Sequence, residues 1–143
     1  MFKVDELWII LKIKRISHTG DIYRYLYLFD DDNEDNAGIV EFDRFVIEEI
    51  VEKNFEEYIS QMYYDKRVVV VKEINNKKFI TKNGVDFASI IALFFIYKEF
   101  LKNKEFLSMI EYLNLRSVEK LKNIFPEEYN GLMNIVESKM MIS

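Results

Sequence analysis

Hydrophobic and polar positions alternate along the first 29 residues, which is typical of β-strands. Residues 7–16 alternate in this way, and residues 22–29 resume the pattern after the turn-forming residues 17–21. We expect a hairpin that places Ile16 near Ile22 and, because side chains alternate across a sheet, separates two faces. The expected core face carries Leu7, Ile9, Leu11 and Ile13 opposite Tyr25, Tyr27 and Phe29. The mixed face carries Trp8, Ile10, Lys12 and Lys14 opposite Arg24, Leu26 and Leu28.

The next elements are a short third strand and an amphipathic helix. Residues 38–42 form the strand, and Asp43 is expected to cap the helix because its side chain can accept bonds from free backbone N–H groups. From Ile47 to Met62 the apolar residues recur at three- and four-residue spacings, with glutamates between them.

Further strands are predicted in the middle of the chain. Residues 67–74 contain four consecutive valines, a pattern typical of a buried strand. Asn75 and Asn76 indicate a hairpin turn, and residues 77–81 are expected to return as a strand.

The remaining chain has a helical pattern. Asp86 is expected to cap an apolar helix over residues 87–102, followed by helical residues 104–113. Ser117 caps a predicted short helix to Phe125, and Pro126 suits the first turn of a last helix. The prediction is a single α+β domain over residues 1–143. It has an antiparallel sheet of about five strands formed mainly by the N-terminal half, one amphipathic helix after the third strand, and a C-terminal cluster of three to four helices.

Composition excludes several classes of protein. The chain has 143 residues, of which 50% are hydrophobic, and it contains no cysteine, so disulfides, thiolate metal sites and cysteine nucleophiles are excluded. The net charge of −5 arises entirely in residues 1–43, which hold ten acidic and five basic side chains. No part of the chain is basic enough to predict nucleic-acid binding.

The acidic loop over residues 30–36 is the sharpest local feature, with five carboxylates in seven residues. We interpret it as a negative surface that meets a basic partner, or as a merely solvated connection. A calcium site would use Asp30, Asp32, Glu34 and Glu41, but Asp35 stands where an EF-hand-like loop needs glycine. The predicted partner-binding residues are Asp30, Asp31, Asp32, Glu34, Asp35, Tyr63 and Tyr64.

Two further clusters are less specific. Lys12, Lys14 and Arg24 share the mixed face, where Glu41 or solvent is expected to offset them, with a bound anion as the alternative. The tyrosines Tyr23, Tyr25 and Tyr27 are expected in the core.

Catalytic motifs are lacking in the sequence. His18, the only histidine, lies in a polar turn, and there is no glycine-rich phosphate loop or nucleophile elbow. Residues 106–125 resemble a helix-turn-helix only weakly, since their only basic residues are Arg116, Lys120 and Lys122 and a recognition helix needs more such groups. We therefore expect no catalytic residues, no metal and no cofactor.

The sequence favours a small, acidic, cytoplasmic protein without enzymatic activity. Our leading hypothesis is an inhibitor or immunity-type protein that neutralises a basic enzyme or toxin. The alternatives are a subunit or regulatory domain of a homo-oligomer, such as a homodimer, and a carboxylate-dependent metal-binding enzyme. A membrane is not expected as a partner, since the longest uncharged stretch, residues 87–97, is shorter than the about 20 residues that span a bilayer.

Overall fold

The structure is a computed structural model that describes residues 8–9, 11–29, 33–74, 80–81, 84–110, 113–114, 119 and 121–142. The strands are β1 (Trp8–Ile9), β2 (Leu11–Thr19), β3 (Ile22–Phe29), β4 (Gly38–Asp43), β5 (Val68–Lys72), β6 (Met109–Ile110) and β7 (Leu113–Asn114). The helices are α1 (Arg44–Glu52), α2 (Phe55–Tyr64), α3 (Phe87–Asn103) and α4 (Pro126–Ile142), and a 3₁₀ turn spans Glu34–Asn36.

The fold is α+β, as the sequence predicts. Five antiparallel strands form one sheet in the order β5-β4-β3-β2-β6, while β1 and β7 pair separately. The predicted core face is confirmed where its side chains are described, since Leu11, Ile13, Tyr25 and Tyr27 are at most 1% exposed. Helix α3 lies against this face, and its residues 87–96 are all buried.

The hairpin of β2 and β3 is longer than predicted. Thr19 pairs with Ile22 across a two-residue turn in which Gly20 adopts a left-handed conformation with φ of 60°. The prediction that Ile16 lies near Ile22 is wrong, because the register shifts between Arg15 and Ser17 and leaves Ile16 at a bulge, 43% exposed. The backbone N–H of Arg15 donates to the carbonyl of Ser108 at this point.

The amphipathic segment after β4 is helical, but it is divided into α1 and α2. Asp43 caps α1 as predicted, accepting a bond from the Val46 N–H at 3.2 Å. The division follows from Asn54, whose extended backbone and side-chain bond to the Glu56 N–H begin a second helix.

The predicted helix over residues 104–113 is wrong. Lys104 adopts a left-handed conformation with φ of 60°, and its N–H closes α3 on the carbonyl of Phe100. Beyond it, the carbonyl of Phe106 accepts a bond from the Arg15 side chain, and that of Leu107 accepts one from the Tyr25 hydroxyl. These contacts hold the chain alongside β2, where residues 109–110 form β6. The helix-turn-helix alternative for residues 106–125 is therefore wrong at residues 109–110, which are a strand.

Several predictions fall outside the described residues. They concern Leu7, Ile10, the turn at residues 75–76, most of the returning strand at residues 77–81, and the cap at Ser117; the side chains of Trp8, Ile9 and Phe29 are likewise not described. Of that strand, Ile80 forms a single bridge with Asp86. The helices predicted from Phe87 and from Pro126 are confirmed as α3 and α4.

We predict that Gly38→Ala destabilises the sheet. Gly38 pairs with Tyr27 across β3 and β4, and an added methyl group would overlap the Tyr27 ring. The free energy of unfolding should fall by about 1–3 kcal/mol, the usual range for overpacking, as measured by urea denaturation. The control is Gly131→Ala in α4, where nothing lies within 4 Å of the added atom. That change should be neutral or stabilise by up to about 1 kcal/mol, and equal losses in both variants would contradict the account.

Candidate functional site

A groove of about 790 Å³ lies between β5, α2 and the turn before α3. Helix α2 lines it with Ile59, Tyr63 and Tyr64, and Ile90 of α3 is also part of the lining. Tyr64 is 82% exposed, the largest exposed fraction among the exposed large hydrophobic side chains. The groove therefore combines an apolar lining with an aromatic ring that is open to a partner.

The groove meets β5 at its edge. The lining includes three consecutive residues of this strand, Val68, Val69 and Val70. Because successive side chains of a strand point to opposite faces, a groove that touches all three approaches the edge of the strand. The other edge of β5 pairs with β4. The prediction of a buried strand is wrong here, because β5 lies at the end of the described sheet and its Val69 and Val71 are 42% and 44% exposed. Thr81, Val85 and Phe125 line the groove as well, from parts of the chain beyond the strand.

The start of β5 is held by an ionic cluster. The Arg67 guanidinium lies 2.7 Å from Glu49 of α1 and 4.0 Å from Asp43. Hydrogen bonds from Lys53 and from Arg67 lower the pKa of Glu49 to about 2. Glu49 thus stays ionised near neutral pH and joins α1 to the entry of β5.

A buried polar network lies beneath the groove. The Tyr63 hydroxyl is 2.8 Å from the Ser89 hydroxyl, which itself donates to the Asp86 carbonyl at 2.6 Å. Since a serine hydroxyl has only one hydrogen, Tyr63 is the donor in the first bond. The network therefore joins the wall of the groove to the first turn of α3.

Asp86 is the centre of this network and is 1% exposed. Its Oδ2 accepts bonds from the Tyr27 hydroxyl at 2.7 Å and from the Ile74 N–H at 3.1 Å. Its Oδ1 caps α3 by accepting from the Ala88 N–H at 3.1 Å. Burial raises the pKa of Asp86, although these hydrogen bonds act in the opposite direction, and burial likewise raises the pKa of Tyr27.

This carboxylate is a structural group and is poorly placed for catalysis. Both oxygens are engaged by groups of the fold, and neither reaches solvent. Burial also raises the pKa of Tyr63, so the tyrosine closest to the groove is a weaker acid than a free phenol. The sequence predicted Asp86 as a helix cap, but it held no signal for the bond to Tyr27, which is 59 residues away.

The acidic loop and the groove share β5. Lys72, the last residue of that strand, donates to the carbonyl oxygen of Asp35 at 2.8 Å. Glu34 and Asp35 are exposed in the 3₁₀ turn. The Asn33 side chain caps this turn by accepting a hydrogen bond from the Asp35 N–H. Asp30, Asp31 and Asp32 lie outside the described residues. The described part of the predicted loop therefore contacts the last residue of β5, and Tyr63 and Tyr64 of α2 line the groove beside the first residues of the same strand.

On the mixed face of the sheet, Glu41 offsets Arg24 as the first alternative proposed, but Lys14 pairs with Glu34 instead. Arg24 lies 3.0 Å from Glu41, its neighbour across β3 and β4, and Lys14 lies 3.8 Å from Glu34. The predicted core positions of the tyrosines are also confirmed, since Tyr23 is 8% exposed and the other two are fully buried.

His18 is part of the hairpin tip. Its ring stacks on Tyr23 with centroids 4.2 Å apart, and its Nε2 donates to the Gly20 carbonyl at 2.7 Å. Within the described residues no group of three or more histidine or acidic side chains is placed to hold a metal ion. Residues 87–96 of α3 are buried within the chain itself, so they are not available as a subunit interface.

No family model matches the chain, and no curated protein or solved structure is significantly similar to it. Among the helices that the structure describes, none is both long and apolar enough to cross a membrane. The site must therefore be interpreted from its own geometry.

We predict that the two aspartate caps differ in their contribution to stability. Asp86→Ala removes a cap and leaves the Tyr27 hydroxyl and the Ile74 N–H buried without an acceptor. The free energy of unfolding should fall by at least about 3 kcal/mol. Asp43→Ala, at a half-buried cap, should cost about 1 kcal/mol. Chemical denaturation of both variants checks this, and a similar small loss for each would show that the buried network contributes little.

Proposed function

We propose that this protein is a small, acidic, non-enzymatic binding protein whose partner is another protein with a basic surface. The observation that carries the proposal is the shared position on β5 of the acidic turn and the groove with Tyr64. An inhibitor or immunity-type protein that neutralises a basic enzyme or toxin is the form of this function that we favour.

Electrostatic attraction is the first part of the argument. Two lysines fix the described end of the acidic loop, through the Asp35 carbonyl and the Glu34 carboxylate. The carboxylates of a loop held in this way present a localised negative field. Such a field raises the rate of encounter with a cationic surface and penalises acidic partners.

Contact area is the second part. Tyrosine is enriched in binding hot spots because it offers a large, rigid surface with a polar end. Tyr64 stands at the end of α2 beside the groove, and Val69 and Val71 of β5 are 42% and 44% exposed. A partner that covers this side of the molecule would bury apolar surface next to its charged contacts.

The contacts of the titratable side chains support the proposal that the protein has no enzymatic activity. Asp86 and Tyr27 bind each other in the core, and His18 closes a turn. A cytoplasmic location and the exclusion of nucleic acid and membranes as partners belong to the same proposal. They follow from the negative charge of the chain and its lack of cysteine.

A homo-oligomer is the second candidate function, because Tyr64, Val69 and Val71 are exposed apolar side chains, of which the first two line the groove. Sedimentation at several protein concentrations separates the two candidates. A monomer at every concentration would exclude the homo-oligomer. A dimer that forms as the concentration rises, and that no longer forms in Tyr64→Ser, would favour it.

We predict that the acidic loop governs the rate of partner association. A partner is first isolated from the source cells and purified. Replacement of Asp30, Asp31, Asp32 and Asp35 by asparagine should leave the circular dichroism unchanged and slow association at low salt by about tenfold or more. The wild-type rate should fall with added salt, and the variant rate should depend on salt only weakly.

The matched control removes the same number of charges elsewhere. It replaces the exposed Glu52, Glu56, Glu57 and Glu105 by glutamine. Association of this control should stay within about twofold of the wild type, because these positions lie away from the loop. Equal slowing in both variants would show that net charge, and not the loop, is responsible.

A further inference from the structure

We propose that the edge of β5 that no described strand occupies binds an extended segment of the partner protein, which adds to the sheet as a further strand. This inference rests on the proposed function and specifies how the partner is held. The occupant is a single strand with alternating β-branched residues, a basic residue at its N-terminal end and an acidic residue at its C-terminal end.

The edge itself is the first argument. Strand β5 is the last of the sheet, and among the described residues no strand pairs with its second edge. A strand at the end of a sheet presents a row of backbone N–H and C=O groups to any chain that can pair with them. Strand addition to such an edge is a recurrent mode of peptide recognition.

The shape of the groove is the second argument, and it favours one strand over a second sheet. Thr81 and Val85 line the groove together with the three valines of β5, and so does Phe125. Because residues outside the sheet also line the groove, a single strand fits this site better than a second sheet. The five residues of β5 extend over about 16 Å, enough to pair with a strand of similar length.

The lining also indicates which side chains the segment carries. Ile59, Val85 and Ile90 give the groove apolar walls, and the Tyr63 ring stands among them. Every second side chain of an added strand would point towards this lining, and the others would point towards Val69 and Val71 on the opposite face. β-Branched residues suit both environments, because they pack well on a pleated surface.

Charges at the two ends of the groove set the direction of the segment. Lys66 lies before the start of β5, and Glu73 follows its end, and both line the groove. The acidic turn lies at the Glu73 end, through the bond between Lys72 and Asp35. Every strand pair in the described sheet is antiparallel, and in an antiparallel pair the N-terminal end of the added strand meets the end of β5. A basic residue there faces Glu73, and an acidic residue at the other end faces Lys66.

The test uses a synthetic peptide with the sequence acetyl-Lys-Thr-Val-Thr-Val-Thr-Glu-amide and the full-length protein. Amide hydrogen exchange is followed by NMR with and without the peptide at saturating concentration. In the free protein, the amides of β5 that do not face β4 should exchange fast, and slow exchange there would show that the edge is already occupied and would overturn the proposal. With the peptide, the fast amides should slow by about tenfold or more, while the amides that face β4 should not change.

Two control peptides isolate the proposed contacts. The same peptide with its five inner amide nitrogens methylated cannot donate to a strand edge and should give no protection. The charge-reversed peptide, acetyl-Glu-Thr-Val-Thr-Val-Thr-Lys-amide, should bind more weakly than the original. Equal protection by the methylated peptide would overturn strand addition, and tighter binding of the charge-reversed peptide would overturn the proposed direction.

A matched pair of variants tests the position. Ser60 lines the groove on α2, and the exposed Gln61 beside it does not. Ser60→Trp should fill the groove and weaken peptide binding by about tenfold or more, and Gln61→Trp should leave it unchanged. If the original peptide protects no β5 amide, strand addition is wrong. The proposed function survives that result if the isolated partner still binds and if Tyr64→Ser still weakens its binding. Phe45→Ser is the control, because Phe45 is an exposed aromatic residue outside the groove, and it should not weaken binding.

Discussion

A single buried carboxylate joins the sheet, the central helix and the chain that leaves β5. One oxygen of Asp86 binds the Tyr27 hydroxyl of β3 and the Ile74 N–H beyond β5, while the other begins α3. A buried acceptor of this kind is costly unless its partners are all in place, so it fixes their relative positions. The long apolar helix therefore starts at one defined point against the sheet.

The surface features follow from that arrangement. The backbone N–H of Ile74 binds Asp86 two residues after β5 ends at Lys72, and β5 is the last strand of the described sheet. Ser89, one turn into α3, binds Tyr63 and so sets the wall of the groove beneath Tyr64. At the opposite end of β5, Lys72 holds the acidic turn. The core network, the groove and the turn are thus connected through one edge of the sheet.

Local signals in the sequence predicted much of the fold. Alternation identified the core face of β2 and β3, and the aspartates before α1 and α3 identified both caps. The sequence also predicted that α3 ends near Lys102, but it then predicted a further helix over residues 104–113, where Lys104 instead takes a left-handed conformation that usually favours glycine. Strand β6 depends on bonds from Arg15 and Tyr25, more than 80 residues away. The groove likewise combines residues of α2, β5, the turn before α3, α3 itself and Phe125, and among them the sequence predicted only Tyr63 and Tyr64 as partner-binding residues.

A double-mutant cycle between Tyr27 and Asp86 tests the central claim most directly. The free energies of unfolding of Tyr27→Phe, Asp86→Ala and the double variant are compared with that of the wild type. The account predicts a coupling energy of about 1.5–3 kcal/mol, as expected for a hydrogen bond to a charged group. A parallel cycle with Tyr25→Phe, whose hydroxyl binds Leu107 instead, should be additive. Additivity within about 0.5 kcal/mol for Tyr27 and Asp86 would contradict the account.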